Sequence, residues 1–188
     1  GNDWALSIAI GLSADQYIWD VGGMGVALKR DVNDALSGKH CQVYQFNGSH
    51  AVEDPDSIYE PSGASNFMEK TNKEVSRNLR AQCYLRLRDR VYWTYRAIIH
   101  GEFCDPDRLI SFSSECESLA GLRSELCRLP IKPNPNGFEL YTKAEMRKKF
   151  KVRSPNLADC VMMTENESYR INTAEPDYSN YQIPCGVG

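Results

Sequence analysis

The stretch from Tyr17 to Phe46 limits the folds open to this chain more than any other. Tyr17-Ile18-Trp19 reads as a short buried strand that ends at Asp20. Gly22-Gly23-Met24-Gly25 follows as a tight loop, and a helix is expected from about Val26 to Leu36, closed by Gly38. Cys41 to Phe46 reads as a second strand. Strand, loop, helix and strand in that order make a βαβ unit, which demands a parallel sheet and an α/β fold. A carboxylate at the C-terminal end of a strand in such a sheet points into the crevice where ligands bind. Asp20 holds that position, although a turn or cap aspartate would look the same. The glycine loop lacks the lysine of G-x-x-x-x-G-K-[ST] and fits G-x-G-x-x-G poorly, so it is not a phosphate cradle. Its glycines let the chain turn sharply and leave room beside Asp20.

The opening segment satisfies two periods at once. Trp4, Ile8 and Leu12 recur every fourth residue, while Trp4, Leu6, Ile8, Ile10 and Leu12 alternate. Ala5, Ala9, an Asp3 N-cap and Gly11 as terminator favour a helix. Residues 47–65 carry turn formers and acids without periodicity and read as a surface excursion. The longest helix places Leu79, Cys83, Leu87, Val91, Tyr95 and Ile98 on one stripe and ends at Gly101. Asp105-Pro106-Asp107 starts a shorter helical stretch. Leu129-Pro130-Ile131 and Phe138-Glu139-Leu140-Tyr141 flank the turn Asn134-Pro135-Asn136-Gly137, a hairpin by its chemistry. A basic helix is expected over Ala144–Phe150, and Ser154-Pro155-Asn156 starts another that runs from Leu157 to about Thr164.

Asp159 sits in that last helix among Leu157, Ala158, Cys160, Val161, Met162 and Met163. An ionised carboxylate on a mostly buried helix is costly unless it is paired or bound to a cation. The alternative is a first-turn aspartate favoured by the helix dipole. Lys143 opens the run Lys143, Arg147, Lys148, Lys149, Lys151 and Arg153, close in sequence to Asp159. Beyond Glu165 the chain is polar, with Pro176, Pro184 and several tyrosines, and reads as a tail.

With 22 basic and 25 acidic residues the chain carries a net charge of −3, so it is not a basic nucleic-acid binder as a whole. The average hides an acidic first third and two basic stretches, Lys70–Arg96 and Lys143–Arg153. An acidic pole facing basic patches suits an enzyme that holds metal ions beside a phosphate backbone, and solvated helix faces would give the same pattern. No apolar run approaches the length of a membrane helix. The seven cysteines include no C-x-x-C pair, which argues against zinc and disulfides and for a reducing compartment. His40, His50 and His100 lack partner patterns, and no nucleophilic side-chain system is apparent.

These residues resemble a family. Tyr17-Ile18-Trp19-Asp20-Val21-Gly22-Gly23-Met24-Gly25 is similar to the second acidic motif of phage terminase large subunits, an Asp at a strand end before a glycine loop and a helix. Asn78-Leu79-Arg80-Ala81-Gln82-Cys83-Tyr84 resembles the segment that opens the family's long helix. Leu140 to Lys148 resembles its lysine-bearing run, and Ser154-Pro155-Asn156-Leu157-Ala158-Asp159-Cys160 its signature for the third acid. The motifs span Ala14 to Met163 in family order, and the headful-packaging, tailed-phage branch is the nearest likeness.

The resemblance implies an RNase H-like α/β nuclease domain over residues 1–164, a mixed sheet flanked by helices with a β-hairpin excursion, followed by a C-terminal tail over 165–188. It implies a metal-dependent endonuclease that cuts concatemeric double-stranded DNA during genome packaging, using two Mg²⁺ or Mn²⁺ ions. Asp20 becomes the second metal-binding acid, Asp159 the third, and Lys143 a phosphate or charge-balancing contact. The implied partners are DNA, the portal protein, the small terminase subunit and an N-terminal ATPase domain of the same polypeptide, with no membrane, in the host cell cytoplasm. The family's first acid lies on a strand well before the second, so it and its strands are expected to be missing from this sequence; Asp3 is a poor substitute. A non-catalytic DNA-binding or portal-docking module on the same fold is the alternative, and another RNase H-like enzyme such as a resolvase is a third reading. Three further expectations concern the site and the tail. The Asp20 and Asp159 carboxylates should lie within about 8 Å of each other to share metal ions. Without a cation they should repel, so that neutralising Asp159 relaxes the fold. The tail should be dispensable for folding.

Overall fold

A computed structural model of the chain describes residues 2–59, 69–135 and 137–169. Helix α1 (Asn2–Gly11) leads into strand β1 (Gln16–Asp20), a 3-10 turn (Gly23–Leu28), helix α2 (Lys29–Leu36) and strand β2 (Gln42–Phe46). The strands pair in parallel with Asp20 opposite Phe46, the βαβ unit read from the sequence. Val21 N–H extends the ladder to Phe46 C=O at 2.9 Å. The glycine loop is tighter than expected, because the 3-10 turn takes up residues assigned to the start of the helix. Asp3 falls inside α1 rather than at its cap.

Alternation along β1 decides which way Asp20 points. Tyr17 and Trp19 pack on one face against Leu6 of α1 and against Val32 and Leu36 of α2. Ile18 packs on the opposite face, in a core with Phe46, Leu79, Cys83, Leu87, Ala158 and Met162. Side chains two apart share a face of a strand, so Asp20 looks to the Ile18 side. That side is covered by α4 (Leu79–His100) and α7 (Asn156–Met163), which pack on one another.

Between them come α3 (Asn72–Val75), α5 (Leu119–Cys127) and α6 (Lys143–Glu145), the last continued by a π turn over Met146–Phe150. Helix α5 had no counterpart in the sequence pattern. Its short apolar run buries only Leu122, which packs into the α4–α7 core. Among the described residues the sheet has two strands, so the expected mixed sheet is realised as a parallel pair. The hairpin contributes an isolated antiparallel bridge, Ile131 with Leu140, rather than a ladder. Asn136 in its turn, and residues 60–65 of the excursion, lie outside the described residues. The expected stripe on α4 is buried at Leu79, Cys83 and Leu87 but runs into solvent at Val91, Tyr95 and Ile98. No described helix is long and apolar enough to cross a membrane, and the six described cysteines are free thiols.

The body runs past the expected start of the tail. Glu165 and Asn166 are buried, and Tyr169 stacks on Tyr44 at 4.6 Å while its hydroxyl donates to Gln45 C=O. Glu53 ties this segment down: it pairs with Arg86 and accepts from the Glu167 and Ser168 N–H groups and the Ser168 hydroxyl. Residues through Tyr169 are therefore part of the fold, and the remainder of the expected tail lies outside the described residues. Burial pushes the Glu53 carboxyl up, but its bonds from Ser168 and Arg86 outweigh that and hold it below its ordinary 4.5. A carboxyl depressed on folding contributes stability above its unfolded value and loses it as pH falls through the folded one. Glu53→Gln is expected to cost about 2 kcal/mol at pH 7. It should also flatten the acid limb of a stability profile below pH 4.5 in urea melts.

Candidate metal centre

Four elements converge beyond the C-terminal end of β1. Asp20 ends that strand, Arg80 and Tyr84 lie one turn apart on α4, Lys143 opens α6, and Asp159 occupies the first turn of α7. Each is placed by local sequence logic. Asn78 caps α4 by accepting from Ala81 N–H at 3.0 Å. Thr142 and Glu145 form a capping box that starts α6 at Lys143. Glu125 of α5 accepts from Ala158 N–H at 2.9 Å, which anchors the start of α7 beside Asp159. Gly25 lets the chain after β1 fold back, because a Cβ there would stand 1.9 Å from the Asp20 carbonyl oxygen.

Lys143 bridges the two acids. Its ammonium is 3.3 Å from Asp20 Oδ2 and 3.0 Å from Asp159 Oδ2, so the two oxygens are no further apart than the sum of those distances. That is inside the separation expected for acids sharing metal ions. The cleft they line encloses about 430 Å³, with Asn47, Ser49, Thr142 and Met163 around it. Burial pushes the Lys143 ammonium down, but the charges of Asp159 and Asp20 outweigh it and hold the group above its ordinary value.

The two carboxylates differ in surroundings. Asp20 is 39% exposed, and its Oδ1 accepts from Gly22 N–H at 2.8 Å. Asp159 is 9% exposed, and its Oδ1 accepts from Arg80 at 3.1 Å and from the Tyr84 hydroxyl at 2.8 Å. Its Oδ2 faces Lys143 as an ion contact yet has no partner in hydrogen-bond geometry, although it is buried. The ion-pair distance and the unsatisfied atom are compatible: the ammonium supplies charge without an aligned donor. Two acids held between the two cations Arg80 and Lys143 are not a strained, self-repelling pair, so the expectation that neutralising Asp159 would relax the fold is corrected. Arg80 and Tyr84 carry no role that the sequence discloses. Their spacing on the buried face of α4 is visible there, but their target is not.

A buried carboxylate oxygen without an aligned hydrogen-bond donor, set across the cleft from a more exposed carboxylate, fits a hard divalent cation. Mg²⁺ is held by one or two carboxylates completed by water and substrate phosphate oxygens, which matches this donor set. Among the described residues no three His, Cys, Asp or Glu side chains gather to enclose an ion, so Asp20 and Asp159 are the acids available.

The chain was compared with known proteins. No protein-family model matches it, and no curated protein does. Solved structures do. The nuclease domain of the large terminase subunit gp2 of bacterial virus Sf6 is 44% identical, with a TM-score of 0.79, over 88% of this chain and 70% of that one. A lysine-to-alanine variant of that domain with manganese is 43% identical, with a TM-score of 0.78, over 88% and 71%. The same variant with manganese and β-thujaplicinol gives 43% and 0.79, over 88% and 70%.

Proposed function

Because the chain belongs to the nuclease domains of phage terminase large subunits and is a metal-dependent nuclease, we propose that Asp20 and Asp159 hold its cations while Lys143 meets the phosphate of the cleaved strand. The observation that carries this reading is the convergence of Asp159 Oδ2, buried and without an aligned hydrogen-bond donor, and Asp20 Oδ2 on the single ammonium of Lys143 in the cleft. The fold is RNase H-like, and the substrate is concatemeric double-stranded DNA cut during genome packaging in the host cytoplasm. The portal protein, the small terminase subunit and an ATPase domain of the same polypeptide are the partners.

Asp20 and Asp159 would hold two Mg²⁺ or Mn²⁺ ions, which would supply Lewis acidity for phosphodiester hydrolysis. The protein's own part is positioning and charge. Arg80 and Tyr84 occupy Oδ1 of Asp159, which fixes the carboxylate plane and leaves Oδ2 aimed at the cleft. Gly22 N–H does the same for Asp20 through its Oδ1 and leaves Oδ2 on the Lys143 side. Lys143 stays protonated at neutral pH, so its ammonium offers a charged donor to a non-bridging phosphate oxygen. Phe46, Leu140 and Met162 line the inner wall and limit water there.

Contacts of this kind position a backbone without reading bases. Plasmid cleavage is therefore expected in Mg²⁺ or Mn²⁺ with little sequence preference, and none in excess EDTA. Cutting that persists in EDTA would overturn the metal-centred reading. Metal-dependent binding of a duplex with no cutting would favour the non-catalytic DNA-binding module instead.

A further inference from the structure

The structure separates the two basic stretches by what their charges face. All five arginines of α4 are engaged internally: Arg80 with Asp159, Arg86 with Glu53 and Glu167, Arg88 with Asp89, Arg90 with Glu165 and Arg96 with Glu102. That stretch braces the fold and has little positive charge to spare. The second stretch is different. Among the described residues Lys151 and Arg153 form no ion pair, and neither does Arg128 at the end of α5, and all three are exposed.

These three side chains line one groove between α5 and residues 150–155, with a volume of about 530 Å³. Ser124 and Ser154 add hydroxyls. The groove's one carboxylate, Glu125, is committed to Ala158 N–H. Around an apolar floor of Leu129, Met146, Val152 and Pro155, three cations and two hydroxyls thus stand beside a single spoken-for acid, a local excess of positive charge on a chain whose net charge is −3.

Its place relative to the metal centre identifies the anion. Lys143, in the cleft, and Phe150, at the groove, begin and end one continuous helical run. At a rise of at most about 1.5 Å per residue, less in the wider π turn, the two sites are within roughly 10 Å of each other along that run. One DNA strand advances about 3.4 Å per phosphate along the duplex axis, so the gap corresponds to about three phosphates. The exposed Lys148 and Lys149 sit on the connecting turn.

We propose that the groove lined by Arg128, Lys151 and Arg153 binds backbone phosphates of the DNA about three nucleotides from the cut. The proposal rests on the nuclease reading for its substrate. It fixes the path of the duplex across α6 and the π turn towards α5, and excludes the outer face of α4.

The test uses the whole chain carrying Arg128→Gln, Lys151→Gln and Arg153→Gln. A control carries Lys29→Gln, Arg30→Gln and Lys39→Gln, which remove equal charge on and just after α2. Fluorescence anisotropy follows a 30-base-pair duplex over a salt series with Ca²⁺, and plasmid cleavage in Mn²⁺ is measured separately. The groove variant is expected to bind about tenfold more weakly at low salt. Its slope of log affinity against log salt should fall by about 2–3, at roughly 0.9 for each phosphate no longer neutralised, with the control unchanged. Arg128→Gln alone, away from the left-handed Lys151, should lower the slope by about 1 with an unaltered melt. Equal slopes in parent and groove variant overturn the proposal, whether or not the protein cuts. So does a loss matched by the control, which would mean net charge alone. If the groove variant loses affinity for polyglutamate but not for DNA, the groove is a protein-docking surface and the proposal falls. A parent that binds DNA with the expected slope but never cuts would sink the nuclease reading while leaving the groove intact.

Discussion

Asp159→Asn is expected to abolish cleavage and to destabilise the protein together. The carboxylate sits between Arg80, 16% exposed, and Lys143, with the Tyr84 hydroxyl on the same oxygen as Arg80. Removing one partner of a buried pair leaves the other charge uncompensated, which costs about 3–5 kcal/mol. The amide keeps an oxygen for Arg80 and Tyr84, so the loss belongs at the lower end, about 3 kcal/mol. Urea melts of parent and variant in EDTA measure it without interference from bound metal. A variant as stable as the parent in EDTA would show that Arg80 finds another counter-charge. A variant that still cuts in Mn²⁺ would remove Asp159 from the metal site altogether.

Asp20→Asn should separate what Asp159→Asn combines. Asp20 is 39% exposed; its Oδ1 accepts one backbone bond that an amide oxygen reproduces, and the pair its Oδ2 makes with the half-exposed Lys143 is worth little in solvent. The melting profile is therefore expected to stay within about 0.5 kcal/mol of the parent, as for surface substitutions generally. Cleavage should fall by about three orders of magnitude, the scale set by several kcal/mol of lost charge stabilisation at the phosphodiester. Single-turnover plasmid nicking in Mn²⁺ measures the second effect and urea melts the first. Near-parental nicking would mean that Asp20 is only the turn residue that its bond to Gly22 N–H already makes it.

The parts of this molecule readable from sequence are those with strong local signals. Tyr17 to Phe46 carried strand, turn and helix signals in one order, and a parallel pair was the only way to satisfy them. Helix α4 ended where Gly101 takes the left-handed conformation that glycine tolerates. Asp20 stood out because a carboxylate at a strand end points into the crevice of an α/β sheet, Asp159 because a charge on an apolar helix needs a partner, and Lys143 because it opens a basic run close in sequence to Asp159. The failures share a cause. The Lys70–Arg96 charges suited either a phosphate-facing patch or a solvated helix face, and their internal pairing was hidden because the counter-ions Glu53, Glu102, Asp159, Glu165 and Glu167 are mostly distant in sequence. Glu165 to Tyr169 read as tail because a polar segment held by Glu53, Arg86 and Tyr44 has no apolar period to announce it. The solvent exposure of Val91, Tyr95 and Ile98 was equally hidden, since a stripe records which residues align and not whether anything covers them.

Gly25 shows how a position can matter to catalysis without chemistry of its own. In a saturation library scored for DNA cutting, its column should be as bare as that of Asp20. The two would part on a metal titration. A weakened ligand at position 20 can be driven towards occupancy by more Mn²⁺, whereas any methyl group at 25 collides with the Asp20 carbonyl and shifts the strand end itself. No ion concentration restores a displaced backbone. Mutational tolerance alone would thus count one catalytic residue too many in this turn, and the dose response to metal is what tells scaffold from ligand.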